Sequence, residues 1–113
     1  MHEMSIALGI VRIAEEEVKK AKASKVEIIE LIIGTLSGVE IDALEFAWPV
    51  AVKNSVLEGA ERKIKLINGE AQCTECQHQF SLQSLYDSCP KCNSYFKDII
   101  KGKELKVFAL EVL

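Results

Sequence analysis

Arginine is scarce in this sequence. Arg12 and Arg62 are the only two, and 14 Lys and Arg stand against 17 Asp and Glu for a net charge of −3. A protein whose main work is to hold nucleic acid shows a basic surface, and this balance argues against that class. No cationic stretch opens the chain, and Glu15, Glu16 and Glu17 follow early, so the start does not read as a secretory signal. Long apolar runs are missing as well. Segments such as Leu31 to Ile33 are far too short to span a bilayer. The expectation is a cytoplasmic protein with reduced thiols, with disulfides as the alternative.

Cysteine is absent outside two short motifs, Cys73-Thr74-Glu75-Cys76 and Cys89-Pro90-Lys91-Cys92, separated by 12 residues. Two residues between cysteines let both sulfurs of a tight turn point at one centre. Two such turns facing each other offer four thiolates in a tetrahedron, the arrangement that suits Zn²⁺. The segment from Glu70 to Lys103 has little apolar content beyond Phe80, Leu82, Leu85, Tyr86, Tyr95 and Phe96. A structural zinc supplies about 10–16 kcal/mol of folding free energy to units of this kind. Iron in the same cage would instead make a rubredoxin-like electron carrier, and a zinc-ribbon interaction module is a further alternative. His78, two residues after Cys76, reads as a solvated polar residue beside an already complete set of four sulfurs. Charges in the segment sum to zero, with Lys91, Lys97, Lys101 and Lys103 against Glu70, Glu75, Asp87 and Asp98, which argues against a phosphate-binding face.

Elsewhere the chain shows helical and strand periods. Met4, Ala7, Leu8, Val11, Ala14, Val18 and Ala21 recur at helical spacing over residues 2–22, with Glu15–Lys19 and Glu16–Lys20 as i,i+4 pairs. Val26 to Ile33 reads as a strand ending at Gly34. Helical spacing resumes through Ile41, Leu44, Ala47 and Trp48, and Pro49 should end or kink that helix. Glu61 to Ile67 alternates as a strand, with Arg62, Ile64 and Leu66 on one face. Asn68-Gly69 is a turn signal and a candidate hinge, and Leu105 to Val112 is a last apolar strand. The predicted fold is α+β: a small mixed β-sheet with two helices, plus an inserted zinc-ribbon module. Residues 1–68 and 104–113 would form the main domain and residues 69–103 the ribbon.

Met1-His2-Glu3 forms a second candidate metal site. A bulky residue after Met1 should keep the initiator methionine and its free amine in place. That amine and the His2 amide nitrogen close a five-membered ring on a metal, and the His2 imidazole closes a six-membered one. The Glu3 amide adds a fourth in-plane donor and its carboxylate an axial one. A square-planar nitrogen set suits Ni²⁺ or Cu²⁺ rather than Zn²⁺. Protons compete at these donors, so mild acid should release the ion.

The Met-His-Glu start, the doubled CxxC, Gly34-x-Leu36-Ser37-x-Val39-Glu40, Leu44-x-Phe46-Ala47 and Glu58-Gly59-Ala60 together resemble the HypA family across essentially the whole chain. The family comprises nickel chaperones for nickel–iron hydrogenase maturation. The resemblance implies a non-enzymatic carrier, with transported Ni(II) on Met1, His2 and Glu3. It also implies structural Zn(II) on Cys73, Cys76, Cys89 and Cys92. The implied partners are a HypB-type nucleotidase, the hydrogenase large-subunit precursor and, for some members, urease maturation proteins. A histidine-rich storage tract is absent, which fits a carrier rather than a reservoir. Asn93 stands where many family ribbons have glycine, and Asn tolerates the left-handed turn expected there.

Overall fold

The computed structural model describes residues 2–113. In chain order its elements are α1 (Glu3–Lys20), β1 (Val26–Gly34), α2 (Ile41–Val52), β2 (Glu61–Ile67), β3 (Gly69–Cys73), β4 (Gln79–Leu82), β5 (Lys97–Lys101) and β6 (Leu105–Val112). They form two three-stranded sheets, β2-β1-β6 and β4-β3-β5. The α+β class with two helices is therefore present. The chain divides into two compact units, one of residues 1–31, 39–65 and 106–113, the other of residues 32–38 and 66–105. The segment 32–38 groups with the cysteine segment.

In the first unit, α1 buries Ala7, Ile10, Ala14 and Val18, a stripe one position away from part of the expected one. Met4 and Leu8 remain 38% and 50% exposed. The helix stops in a Schellman-type turn: Lys22 is left-handed, its N–H bonds the Lys19 carbonyl, and the Ala23 N–H bonds that of Val18. The acidic cluster makes contacts other than the expected i,i+4 pairs. Glu15 accepts the Val56 N–H at 3.0 Å, and Glu17 pairs with Lys20 at 3.6 Å. α1 packs against α2, and Ile29, Leu31, Leu44, Trp48 and Leu57 complete the core.

Of the two outcomes expected at Pro49, an end or a kink, the structure excludes the end. The helix continues to Val52, with Ala47, Trp48, Ala51 and Val52 buried on either side of the proline. Burial of that face outweighs the lost N–H and the clash with the preceding turn. Pro49→Ala should therefore raise stability by about 1–3 kcal/mol, read from the urea midpoint. An unchanged or lower midpoint would show that the proline's stiffening of the unfolded chain dominates instead. Along β2, Arg62 and Ile64 are half-buried as expected, but Leu66 is exposed. The Arg62 guanidinium lies 4.8 Å over the Trp48 ring and is ion-paired with Glu45.

In the second unit, β3 pairs antiparallel with both β4 and β5. Asn68-Gly69 does not make a reversing turn. Asn68 is the single residue between β2 and β3, and buried Gly69 is the first residue of β3. Its lack of a side chain serves close packing, because a Cβ there would lie 2.7 Å from Leu36 Cδ1. Gly34 and Gly102 meet at the same crossing, where a Cβ on Gly34 would sit 1.9 Å from the Gly102 carbonyl oxygen. The core is small: Ala71, Cys73, Phe80, Leu82 and Cys89, with Leu36, Cys76 and Ile99 against it.

Candidate metal centres

Each CxxC motif folds as the same knuckle. In the first, the Gln77 N–H bonds the Cys73 carbonyl at 2.9 Å and the Cys73 N–H bonds the His78 carbonyl at 2.9 Å. In the second, the Asn93 N–H bonds the Cys89 carbonyl at 2.8 Å and the Cys89 N–H bonds the Ser94 carbonyl at 2.8 Å. The residue after each second cysteine is left-handed, with φ of 67° at Gln77 and 64° at Asn93. Asn93 thus adopts the expected conformation. Gln77 does so without the sequence having signalled it, since glutamine carries no particular preference for that region.

The β3–β4 and β3–β5 pairings support the two knuckles. All four sulfurs fall within 4.8 Å of one another. Cys73 and Cys92 sulfurs are 3.5 Å apart and those of Cys76 and Cys89 are 3.6 Å apart, so none is in a disulfide. A tetrahedral thiolate cage with metal–sulfur bonds of ~2.3 Å has sulfur–sulfur edges near ~3.8 Å. Cys73 and Cys89 are fully buried, Cys76 is half-buried and Cys92 is exposed. The Cys76 N–H directed at Cys73 Sγ pulls that thiol down to about 7. At Cys89 burial pushes the thiol up, but the N–H groups of Cys92 and Lys91 outweigh it and the net shift is downward. Cys92 receives the Ser94 N–H, yet burial and the three facing sulfurs push it up to about 12. Four thiols this close cannot all ionise alone. A divalent cation removes that repulsion, so the donor set fits Zn²⁺. His78 stays outside the cage, exposed and stacked on Phe80 at 6.3 Å.

Of the N-terminal candidates, His2 and Glu3 lie in the first unit. Met1 falls outside the described residues. His2 is exposed and extended, with φ −83° and ψ 95°, and its carbonyl accepts the Ile6 N–H at 3.1 Å to begin α1. Glu3 is the first helical residue, so its N–H has no carbonyl acceptor within the helix. Helix formation therefore does not spend the Glu3 backbone nitrogen, one donor of a chelate at this end, on an intrahelical bond. The positive end of the helix dipole also favours the negative charge of a deprotonated amide.

The Glu3 carboxylate does something the sequence did not reveal. Its Oε2 accepts the Glu40 N–H at 3.1 Å, serving the start of α2, whose own residue Glu40 makes no side-chain cap. That N–H holds the Glu3 carboxyl below its usual range, opposed by partial desolvation and assisted by Glu3's own N–H. An axial metal contact by this carboxylate would compete with the bond to Glu40. His2 and Glu3 also line an open groove of about 350 Å³ with Met4, Ala43, Phe46, Ala47 and Val50. Phe46 is 88% exposed there.

Comparison with known proteins places these features in context. Residues 1–112 match the family described as "Hydrogenase/urease nickel incorporation, metallochaperone, hypA". A hydrogenase maturation factor HypA of Parabacteroides distasonis is 48% identical over 99% of this chain and 97% of its own length. Another, of Francisella philomiragia, is 43% identical over 95% of each. The solution structure of the Ni metallochaperone HypA from Helicobacter pylori superposes with a TM-score of 0.70 at 30% identity, covering 100% of this chain and 98% of that one.

Proposed function

The chain belongs to the HypA family of nickel metallochaperones in hydrogenase and urease maturation, and from that membership we propose that it binds Ni(II) at its own N-terminus and delivers it for assembly of nickel–iron hydrogenase. The donors are the Met1 amine, the His2 and Glu3 amide nitrogens and the His2 imidazole. The supporting observation is the helix start: α1 begins at Glu3, after the extended and exposed His2, so the nitrogens required are not spent on the helix. Zn(II) on Cys73, Cys76, Cys89 and Cys92 has a structural role. The family role also supports a cytoplasmic site of action and hand-over between maturation partners, a HypB-type nucleotidase and the hydrogenase large-subunit precursor. Among the described residues no helix is long and apolar enough to cross a membrane.

A metal titration tests the N-terminal assignment. His2→Ala, and separately two residues added before Met1, should each abolish nickel binding while zinc stays stoichiometric. The first removes the imidazole and the second moves the free amine away. Unchanged nickel affinity in the extended protein would refute the site. Loss of both metals in His2→Ala would move nickel to the ribbon.

A further inference from the structure

The four sulfurs of the cage differ in what can reach them. Cys92 is exposed and Cys76 half-buried, whereas Cys73 and Cys89 are fully buried. Two opposite edges of the cage are short, Cys73–Cys92 at 3.5 Å and Cys76–Cys89 at 3.6 Å. Each short edge joins an accessible sulfur to a buried one and runs from one knuckle to the other. The two edges share no atom, so both can close at once. A metal-bound cysteine is a thiolate, the form of the side chain that acts as a nucleophile. An oxidant reacts first at the thiolate it can reach. A second thiolate beside that one diverts the product to a disulfide before it is oxidised irreversibly.

We propose that Cys92 and Cys76 are oxidation sites for hydroperoxides, resolved by Cys73 and Cys89 respectively, so that two disulfides across the knuckles take the place of the metal. The proposal rests on the reading of the four cysteines as a zinc site. In the first step Cys92 Sγ attacks one peroxide oxygen, the O–O bond breaks, hydroxide leaves and the sulfur becomes a sulfenic acid. Cys73 Sγ then attacks Cys92 Sγ, the S–S bond forms, the S–O bond breaks and a second hydroxide leaves. Two thiolates thereby lose two electrons and one peroxide gains them. Cys76 and Cys89 repeat the sequence with a second peroxide. A disulfide sets its sulfurs ~2.05 Å apart, so each pair closes by about 1.5 Å. The first disulfide removes two donors, and the two that remain cannot complete a tetrahedral shell. The knuckles stay fastened to each other all the same. Loops that span both knuckles constrain the unfolded chain more than a link inside one CxxC motif. Peroxide therefore empties the cage without opening the ribbon, whereas a chelator opens it.

Titration of the zinc-loaded, full-length protein with hydrogen peroxide tests the proposal. Zinc release, followed with a metal-sensitive dye, should be complete by two equivalents of peroxide per chain, and dithiothreitol with added zinc should restore the starting state. The pairing is read by mass spectrometry after free thiols are blocked and the chain is cut behind Lys and Glu. That cleavage gives residues 71–75 with Cys73, 76–91 with Cys76 and Cys89, and 92–97 with Cys92. The expected products are 71–75 joined to 92–97, and 76–91 on its own but two hydrogens lighter. Either of the other two pairings joins all three peptides and overturns the proposal. Sulfinic or sulfonic acid on Cys92, disulfides between chains, or zinc still bound after two equivalents overturns it as well. Amides along β3, β4 and β5 should exchange about tenfold or more slower in the oxidised protein than in the reduced protein treated with chelator. Equal exchange would refute the closed ribbon. If the protein holds no zinc at the outset, the zinc reading fails, and the same digest still decides the pairing.

Discussion

Cys89→Ser should unfold the ribbon while the helical unit stands. Cys89 is fully buried, its N–H and carbonyl close the second knuckle, and its sulfur lies 3.6 Å from that of Cys76. Apart from the cysteines, the buried residues of the core cluster beneath the strands are Ala71, Phe80 and Leu82. Burying a large apolar side chain contributes about 1.5–3 kcal/mol, so these residues fall far short of ordering the strands and loops around them. A structural zinc supplies about 10–16 kcal/mol, and serine is a poor substitute for a thiolate ligand. The first unit has its own core in Ala7, Ile10, Ala14, Ile29, Leu44 and Trp48. The expected result is loss of bound zinc and of amide protection along β3, β4 and β5, with helical circular dichroism kept. Stoichiometric zinc together with protected strands in the variant would show that three sulfurs suffice and that the ion is not what holds the ribbon. A chelator added to the unaltered protein should reproduce the variant's exchange pattern.

Gly34→Ala should be nearly as damaging, for a different reason. The added Cβ would meet the Gly102 oxygen at 1.9 Å, the Gly102 carbonyl carbon at 2.2 Å and the Glu104 nitrogen at 2.8 Å. All three are backbone atoms, so no side chain can rotate away. Relief means pulling apart two hydrogen bonds at the same crossing, Gly34 N–H to the Glu104 carbonyl and Leu36 N–H to the Gly102 carbonyl, each 2.7 Å. Overpacking of this severity should cost about 3 kcal/mol or more. Denaturant unfolding measures it, with Gly9→Ala as the reference. A Cβ at Gly9 meets nothing within 4 Å and sits in the middle of α1. That change should stabilise by about 0.5–1 kcal/mol. Equal midpoints for the two variants would mean the crossing yields easily.

The elements with a clear hydrophobic period were legible before any coordinates. β6 occupies the predicted range, α1 and β1 differ from it by a residue or two, and β2 is as expected apart from exposed Leu66. The cysteine motifs announced their grouping because four sulfurs at that spacing have few other uses. What escaped was non-local. Pro49 sits inside a helix because Trp48, Ala51 and Val52 are buried by residues distant in sequence, which propensity does not weigh. The three ribbon strands are only four or five residues long, so an alternation such as Phe80 and Leu82 against Gln79 and Ser81 is too short to stand out. Gly69 looked like half of a turn because Asn-Gly usually is one. Its real constraint is Leu36, more than thirty residues away. The link from Glu3 to Glu40 is likewise invisible in a sequence, where both read as solvated acids.

The matched hydrogen bonds of the two knuckles bear on the order in which the ribbon assembles. Each knuckle is a contiguous turn that closes on itself, so each presents two sulfurs before the other exists. An arriving ion therefore finds a half-site first. Completing the cage requires closing the 12 residues between Cys76 and Cys89, which goes with pairing β5, the strand after the second knuckle, against β3. Escape must retrace the same step, with one knuckle swinging away while the ion stays on the other. A metal held there would leave by the reverse step, so its residence would follow the stability of the β3–β5 pairing.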